Sequence, residues 1–256
     1  MNRITQLFTS GKKNILSVYF TAGYPALNDS FRIITELEKR GVDMIEIGIP
    51  FSDPIADGPV IQRSGTKALI NGMTLKLLFE QLAEIREYSK IPLILMGYIN
   101  PILKMGMEKF LERATAIGID GVIIPDLPPE EYFGNYADLF TKADIFNNFL
   151  ITPQTPDERI KQIDEWSNGF LYMVSSASTT GSRDSFDAKQ LEYFERIDKL
   201  RLNTPRLIGF GVSNSTTFEQ ACRFANGAII GSAFIDALGE NGNLAQKVST
   251  FMETIR

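Results

Sequence analysis

Histidine is absent from the 256 residues, and cysteine occurs once, as Cys222. Without histidine there is no Ser-His-Asp or Cys-His catalysis, no His-ligated zinc and no imidazole acid or base. One cysteine excludes an internal disulfide and a cysteine-rich zinc or iron–sulfur site. Acid–base chemistry must therefore rest on carboxylates, lysine, tyrosine or water. A basic surplus is also lacking. The formal charge is 26 − 31 = −5 with a pI near 5.0, which argues against nucleic-acid or anionic-membrane partners. No run approaches the roughly 18 apolar residues that span a bilayer. The start, Met1-Asn2-Arg3-Ile4-Thr5, has neither the apolar run nor the cleavage site of a secretory signal, so a cytoplasmic chain is expected.

The composition, 44% hydrophobic and 22% charged, is that of an ordinary globular protein. Eight short apolar runs recur, at 15–20, 44–49, 93–98, 121–124, 148–151, 170–174, 207–210 and 228–230. Most are continuous rather than alternating, as strands buried on both faces should be. Amphipathic segments of helical period lie between them, at 30–40, 75–88, 107–117, 157–166 and 186–200. Gly41, Gly118, Gly169 and Gly227 each precede a strand, where a left-handed residue would close a helix. Gly41-Val42-Asp43 and Gly118-Ile119-Asp120 read as two copies of one helix-to-strand turn. Thr155-Pro156-Asp157-Glu158 reads as a capping box, and Thr216 and Glu219 share its spacing.

Eight strands alternating with helices over about 250 residues is the arithmetic of an α/β fold, a single (β/α)8 TIM barrel. A doubly wound sheet is the rival, but the first strand ends Thr21-Ala22-Gly23-Tyr24-Pro25 and lacks the G-x-G-x-x-G turn. With no linker or composition break, residues 1–256 are expected to form one barrel domain. The connection from about residue 50 to 91 is long, with room for an extra short helix.

In such a barrel the site lies at the C-terminal ends of the strands. The second strand carries a carboxylate in Met44-Ile45-Glu46-Ile47-Gly48. Facing the lumen, Glu46 would be desolvated and its pKa raised, which suits a general acid or base. The competing reading is a structural carboxylate paired with a buried cation, but no expected strand core holds Lys or Arg. The next loop, Pro50-Phe51-Ser52-Asp53-Pro54-Ile55-Ala56-Asp57-Gly58-Pro59, has the composition of a turn, and one of its aspartates is a candidate second carboxylate. Gly209-Phe210-Gly211-Val212-Ser213 and Gly231-Ser232-Ala233 follow the seventh and eighth strands, where barrels bind phosphate; tight turns alone would use the same glycines. The sixth loop, 175–182, is rich in small polar residues and reads as a lid or a surface loop. All thirteen lysines fall outside the expected strands, so a lumen Schiff base is excluded. Carbon–carbon cleavage would have to be carboxylate-driven, on a substrate supplying its own electron sink.

The segment Ile45-Glu46-Ile47-Gly48-Ile49-Pro50-Phe51-Ser52-Asp53-Pro54-Ile55-Ala56-Asp57-Gly58-Pro59 closely resembles the hallmark of the tryptophan synthase alpha chain family, and the likeness runs along essentially the whole chain. Asp126-Leu127-Pro128 resembles the family's fourth loop, Thr180-Gly181 its sixth, Phe210-Gly211 its seventh and Gly231-Ser232 its eighth. The resemblance implies a lyase splitting indole-3-glycerol phosphate into indole and glyceraldehyde 3-phosphate. It assigns acid–base work to Glu46 and the indole N–H to Asp57. It places the phosphate on Gly181, Gly211, Gly231 and Ser232, beside a pocket for which Tyr19, Ile151, Tyr172, Thr180, Phe210 and Ile229 are candidates. Plain barrel core is the competing reading for the apolar ones. No metal is implied. Pyridoxal phosphate belongs to a β subunit, the expected partner in an α–β–β–α heterotetramer, faced by the second and fourth loops. Many members carry Arg and Gly where this chain has Ser176 and Ser178, a departure that bears on loop closure and subunit communication. Two alternatives stay open: another phosphosugar barrel, an isomerase or epimerase with Glu46 as base, and a catalytically feeble activator of the β subunit.

Overall fold

The computed structural model describes residues 1–175 and 185–255. Among these, nine strands form one sheet: β1 (Ile15–Thr21), β2 (Met44–Gly48), β3 (Leu93–Met96), β4 (Gly121–Ile123), β5 (Phe146–Asn147), β6 (Leu150–Ile151), β7 (Leu171–Val174), β8 (Arg206–Gly209) and β9 (Gly227–Ile230). Their order is β5-β4-β3-β2-β1-β9-β8-β7-β6, and every pairing is parallel. β5 and β6 are halves of one barrel strand. Between them Asn148 N–H donates to the Val122 carbonyl (2.8 Å), and Tyr172 N–H donates to the Phe149 carbonyl (2.9 Å), so the two sheet edges meet and the barrel closes.

All seven residues of β1 and all five of β2 are buried, as expected of strands covered on both faces. The register defines the lumen side. Ser17 pairs with Met44 and Ile229, Tyr19 with Glu46, Glu46 with Ile94, and Gly48 with Met96. The Arg3–Thr9 helix closes the barrel floor, with Ile4 buried near Gly121 and Phe8 6.0 Å from the Phe170 ring. No helix among the described residues is long and apolar enough to cross a membrane.

Several local expectations need correction. The fifth strand begins at Phe146, ahead of the apolar run, and breaks after Asn147 because Asn148 spends its side chain on the neighbouring strands. Its amide donates to the Val122 carbonyl (3.1 Å) and accepts from Phe170 N–H (3.0 Å). The 75–88 helix divides into Leu75–Gln81 and Ile85–Tyr88, while the expected short insertion is a full helix, Pro59–Ile70. Thr155 caps nothing. Its hydroxyl accepts from Thr152 N–H within the loop, and Pro156 takes the N-cap position. Near residue 216 the capping box is Asn214 with Thr217, because the helix starts at Ser215. Gly41 and Gly118 do adopt left-handed φ (80° and 74°), but Gly169 and Gly227 do not. They are glycines for close approach: a Cβ would overlap Asn148 Oδ1 at the first and the Ile15 carbonyl oxygen at the second.

The repeated helix-to-strand turn does repeated work. Asp43 Oδ2 accepts from Leu16 N–H and Asp120 Oδ2 from Leu93 N–H, each at 2.9 Å, tying the start of one strand to the turn before the next. Both carboxylates have cations beside them, Lys12 at Asp43, and Arg86 (2.6 Å) and Arg3 (2.9 Å) at Asp120. Replacing Asp120 by alanine leaves the largely buried Arg86 without its carboxylate and the buried Leu93 N–H without an acceptor. The expected loss is about 3–5 kcal/mol in urea unfolding, against less than about 1 kcal/mol for Lys39→Ala at the exposed Lys39–Glu36 pair. Equal losses would contradict the clamp.

Candidate active site

Glu46 sits mid-strand in β2 with no solvent exposure. Ser17 Oγ donates to its Oε1 at 3.0 Å, whereas Oε2 has no hydrogen-bond partner. Among the described residues no cation pairs with this carboxyl, so the structural ion-pair reading finds no support. Burial pushes its pKa up to about 8, opposed among the described residues by the Ser17 hydroxyl alone.

Asp57 comes from the loop after β2 and is partly buried. Burial raises its pKa to about 6, and a hydrogen bond from the Tyr98 hydroxyl works in the other direction. Tyr98, just beyond β3, organises this loop. Its Oη accepts from Ala56 N–H (2.9 Å), and its ring stacks on Phe51 with centroids 5.2 Å apart. Gln62 Nε2 adds a bond to the Asp57 carbonyl (2.9 Å). The turn chemistry read from this loop is present, and it delivers a carboxylate to the barrel mouth. Asp53, its other aspartate, is exposed and takes a bond from Ser52.

Two tyrosines lie across the lumen on two glycines. A Cβ on Gly48 would overlap Tyr19 Oη, and one on Gly209 would overlap Tyr172 Oη. Tyr19 also bonds to Thr21, whose hydroxyl meets Ser64 Oγ at 2.7 Å. The negative charges of Glu46 and Asp57 raise the pKa of both tyrosines beyond what burial does, so the four groups share one site. Ile229 is buried and pairs with Ser17. Phe210 lies 6.2 Å from Tyr172, centroid to centroid. Ile151 is buried with Met173 as its register partner, while Leu150 is the residue opposite Tyr172.

The seventh loop has an unusual backbone. Phe210 and Gly211 both adopt left-handed φ (67° and 75°), uncommon for a bulky residue. Ser175 Oγ donates to the Phe210 carbonyl (2.6 Å), and Gln190 Nε2 donates to Ser175 Oγ (3.2 Å). In the eighth loop Gly231 is the N-cap of the Ser232–Gly239 helix, so Ser232 opens a helix whose free N–H groups face the C-terminal end of β9. Thr180 and Gly181, with Ser176 and Ser178, lie outside the described residues.

Sequence reasoning did not single out Ser17, Tyr98, or the glycine seats under the tyrosines. Tyr98 ends the third apolar run, so its place near the mouth was a usable signal. A serine within an apolar strand gives none. The buried carboxyl has a stability consequence. Between pH 4.5 and about 8 the unfolded chain has released the Glu46 proton while the folded chain retains it, so stability falls as pH rises through that window. Glu46→Gln removes this slope. The variant should match the parent near pH 4.5 and exceed it at pH 8 by at least about 1 kcal/mol in urea unfolding. An equal difference at both pH values would contradict the burial effect.

A family model described as tryptophan synthase alpha chain matches residues 6–255. The chain is 59% identical over 256 residues to the tryptophan synthase alpha chain of Flavobacterium johnsoniae, covering 100% of both. Against that of Bacteroides fragilis it is 53% identical over 255 residues, covering 100% of this chain and 97% of the other. Among solved structures, tryptophan synthase subunit alpha from Legionella pneumophila superposes with a TM-score of 0.87 at 32% identity, covering 100% and 97% of the two chains. The corresponding subunit from Pyrococcus furiosus gives 0.86 at 34%, covering 95% and 97%.

Proposed function

Since the chain belongs to the tryptophan synthase alpha chain family, we propose that it cleaves indole-3-glycerol phosphate to indole and glyceraldehyde 3-phosphate, with Glu46 as general acid and base and Asp57 as the anion that steadies the ring. The observation that carries this reading is the unequal burial of the two carboxyls: Glu46 has no solvent exposure and one neutral hydrogen bond, whereas Asp57 is only partly buried, so its pKa is raised less. With pKa values of about 8 and about 6, Glu46 holds its proton at neutral pH and Asp57 has lost its own.

The reaction uses each group in the form it has. Glu46 delivers its proton to indole C3, and the ring becomes an iminium-like cation whose N–H donates to the Asp57 carboxylate. The ionised Glu46 then takes the proton from the hydroxyl on the glycerol carbon bonded to C3. That oxygen's electron pair forms the aldehyde C=O as the carbon–carbon bond breaks, and the bonding pair returns to the ring. Indole and glyceraldehyde 3-phosphate leave, and Glu46 is protonated again.

The phosphate rests on backbone N–H groups of Gly211, Gly231 and Ser232, supported by the left-handed turn at 210–211 and the helix beginning at Ser232. Family resemblance adds Gly181 to the phosphate site and Thr180 to the substrate pocket. The indole lies against Tyr19, Tyr172, Phe210 and Ile229; Ile151, the remaining candidate, has Met173 and not Tyr172 as its register partner. The partner is a β subunit carrying the pyridoxal phosphate, in an α–β–β–α assembly in the cytoplasm. The loop after β2, with Ile55 85% exposed, and the Asp126-Leu127-Pro128 loop, anchored by Ile99 N–H to Asp126 Oδ1 (2.9 Å), are the surfaces assigned to it.

The test is indole release by the purified chain, alone and with a cognate β subunit. Release that rises with the partner is expected, in a bell-shaped pH profile with limbs near 6 and 8. Glu46→Gln should cost about 10²–10⁴-fold and Asp57→Asn about 10²–10³-fold in kcat, with β-subunit binding retained. No release from folded protein in either condition removes this substrate and reopens the isomerase reading. Unchanged activity in Glu46→Gln removes Glu46 from the mechanism.

A further inference from the structure

We propose that Ser17 is a positioning residue for the active-site carboxyl: its hydroxyl holds Glu46 Oε1 and thereby leaves the transferable proton to Oε2. This rests on the reading of Glu46 as the acid and base.

Ser17 has no solvent exposure and stands in β1 opposite Met44, two positions nearer the strand's start than Tyr19, the register partner of Glu46. Its hydroxyl therefore reaches the carboxyl from the floor side of the lumen. Oε1 is engaged at 3.0 Å, and Oε2 is buried without a partner. Around the carboxyl stand Ser17 and Tyr19 of β1 and Tyr172 of β7, with Asp57 of the loop after β2 acting on the same two tyrosines, apolar Ile94 of β3 beside Glu46 and apolar Ile229 of β9 beside Ser17. None is a cation.

A neutral donor suits a group that must cycle its proton. The serine hydroxyl donates to Oε1 whether the carboxyl is ionised or carries its proton on Oε2, so the bond survives both halves of the cycle. A proton on Oε1 would compete with the serine for the same lone pairs. The bond thus fixes which oxygen is the acid and orients it away from the floor, towards the incoming substrate. A lysine or arginine in place of Ser17 would also orient the carboxyl, but its charge would pull the proton off at neutral pH. The hydroxyl trims the effect of burial without cancelling it.

The experiment follows carboxyl ¹³C resonances of the glutamate-labelled full chain through a pH titration, Glu46 being identified by its disappearance in Glu46→Gln. Ser17→Ala should move the Glu46 midpoint up by about half to one pH unit. The alkaline limb of the kcat profile for indole release should move with it, while KM stays constant because Ser17 lies beneath the carboxyl. Ser17→Thr, which keeps the hydroxyl, should restore both. Ser17→Cys, a weaker donor of similar size, should shift the midpoint in the same direction by less, which covers a folding failure of the alanine variant. An unmoved midpoint in Ser17→Ala overturns the positioning role. A midpoint that moves while the kcat limb stays put overturns instead the use of the Glu46 proton in the reaction, and Ser17's part in catalysis falls with it.

Discussion

A carboxyl group sealed in the lumen of a parallel barrel, with no cation beside it among the described residues, is the constraint on which the rest of this structure turns. In water Glu46 would be ionised at neutral pH. Inside the barrel, with one neutral hydrogen bond and one unpartnered oxygen, it is an acid. The floor aspartates provide the contrast within the same molecule. Asp43 and Asp120 are nearly as buried, yet each has a cation and a strand N–H, and they hold the fold together. The same chemical group is structural at one end of the barrel and reactive at the other because its neighbours differ.

The surroundings of Glu46 keep that environment dry without crowding it. Gly48 and Gly209 give up their side chains so that two tyrosine rings can lie across the lumen. Their hydroxyls stay protonated, since burial and the two carboxylates both oppose ionisation. Asp57 is held at the edge of this environment by a loop that Tyr98 pins at Ala56 and Phe51. Intermediate burial gives it an intermediate pKa, and the difference between the two carboxyls is what separates acid from anion. Such a site is maintained at the expense of stability, which the clamped floor offsets.

The barrel was legible because parallel strands are continuous apolar runs and these recur eight times. It failed where polar residues carry the strand. Phe146-Asn147-Asn148 does not look like a strand, yet Asn148 bonds to both neighbouring strands. The apparent capping box at Thr155 misled because its hydroxyl takes the Thr152 N–H within the loop, and the one at Thr216 because the helix already starts at Ser215, capped by Asn214. In the site, Glu46 stood out as the carboxylate inside an apolar run, and Asp57 through its motif. Ser17 was silent, since its role depends on which strand lies alongside, and Tyr98 signalled only a place near the mouth, since its hold on the loop depends on how that loop folds back. The lumen side of the fifth strand was equally hidden, as its register partners show: Leu150 faces Tyr172 and Ile151 faces Met173.

The most direct test of the central claim is the infrared carboxyl absorption of the folded chain at pH 7, measured as a difference against Glu46→Gln. A neutral-acid carbonyl band present in the parent, missing from the variant and replaced by carboxylate absorption only as the pH passes about 8, is the expected result. A Glu46 carboxylate already present at pH 6 would contradict it, and the division of labour between the two carboxyls would go with it.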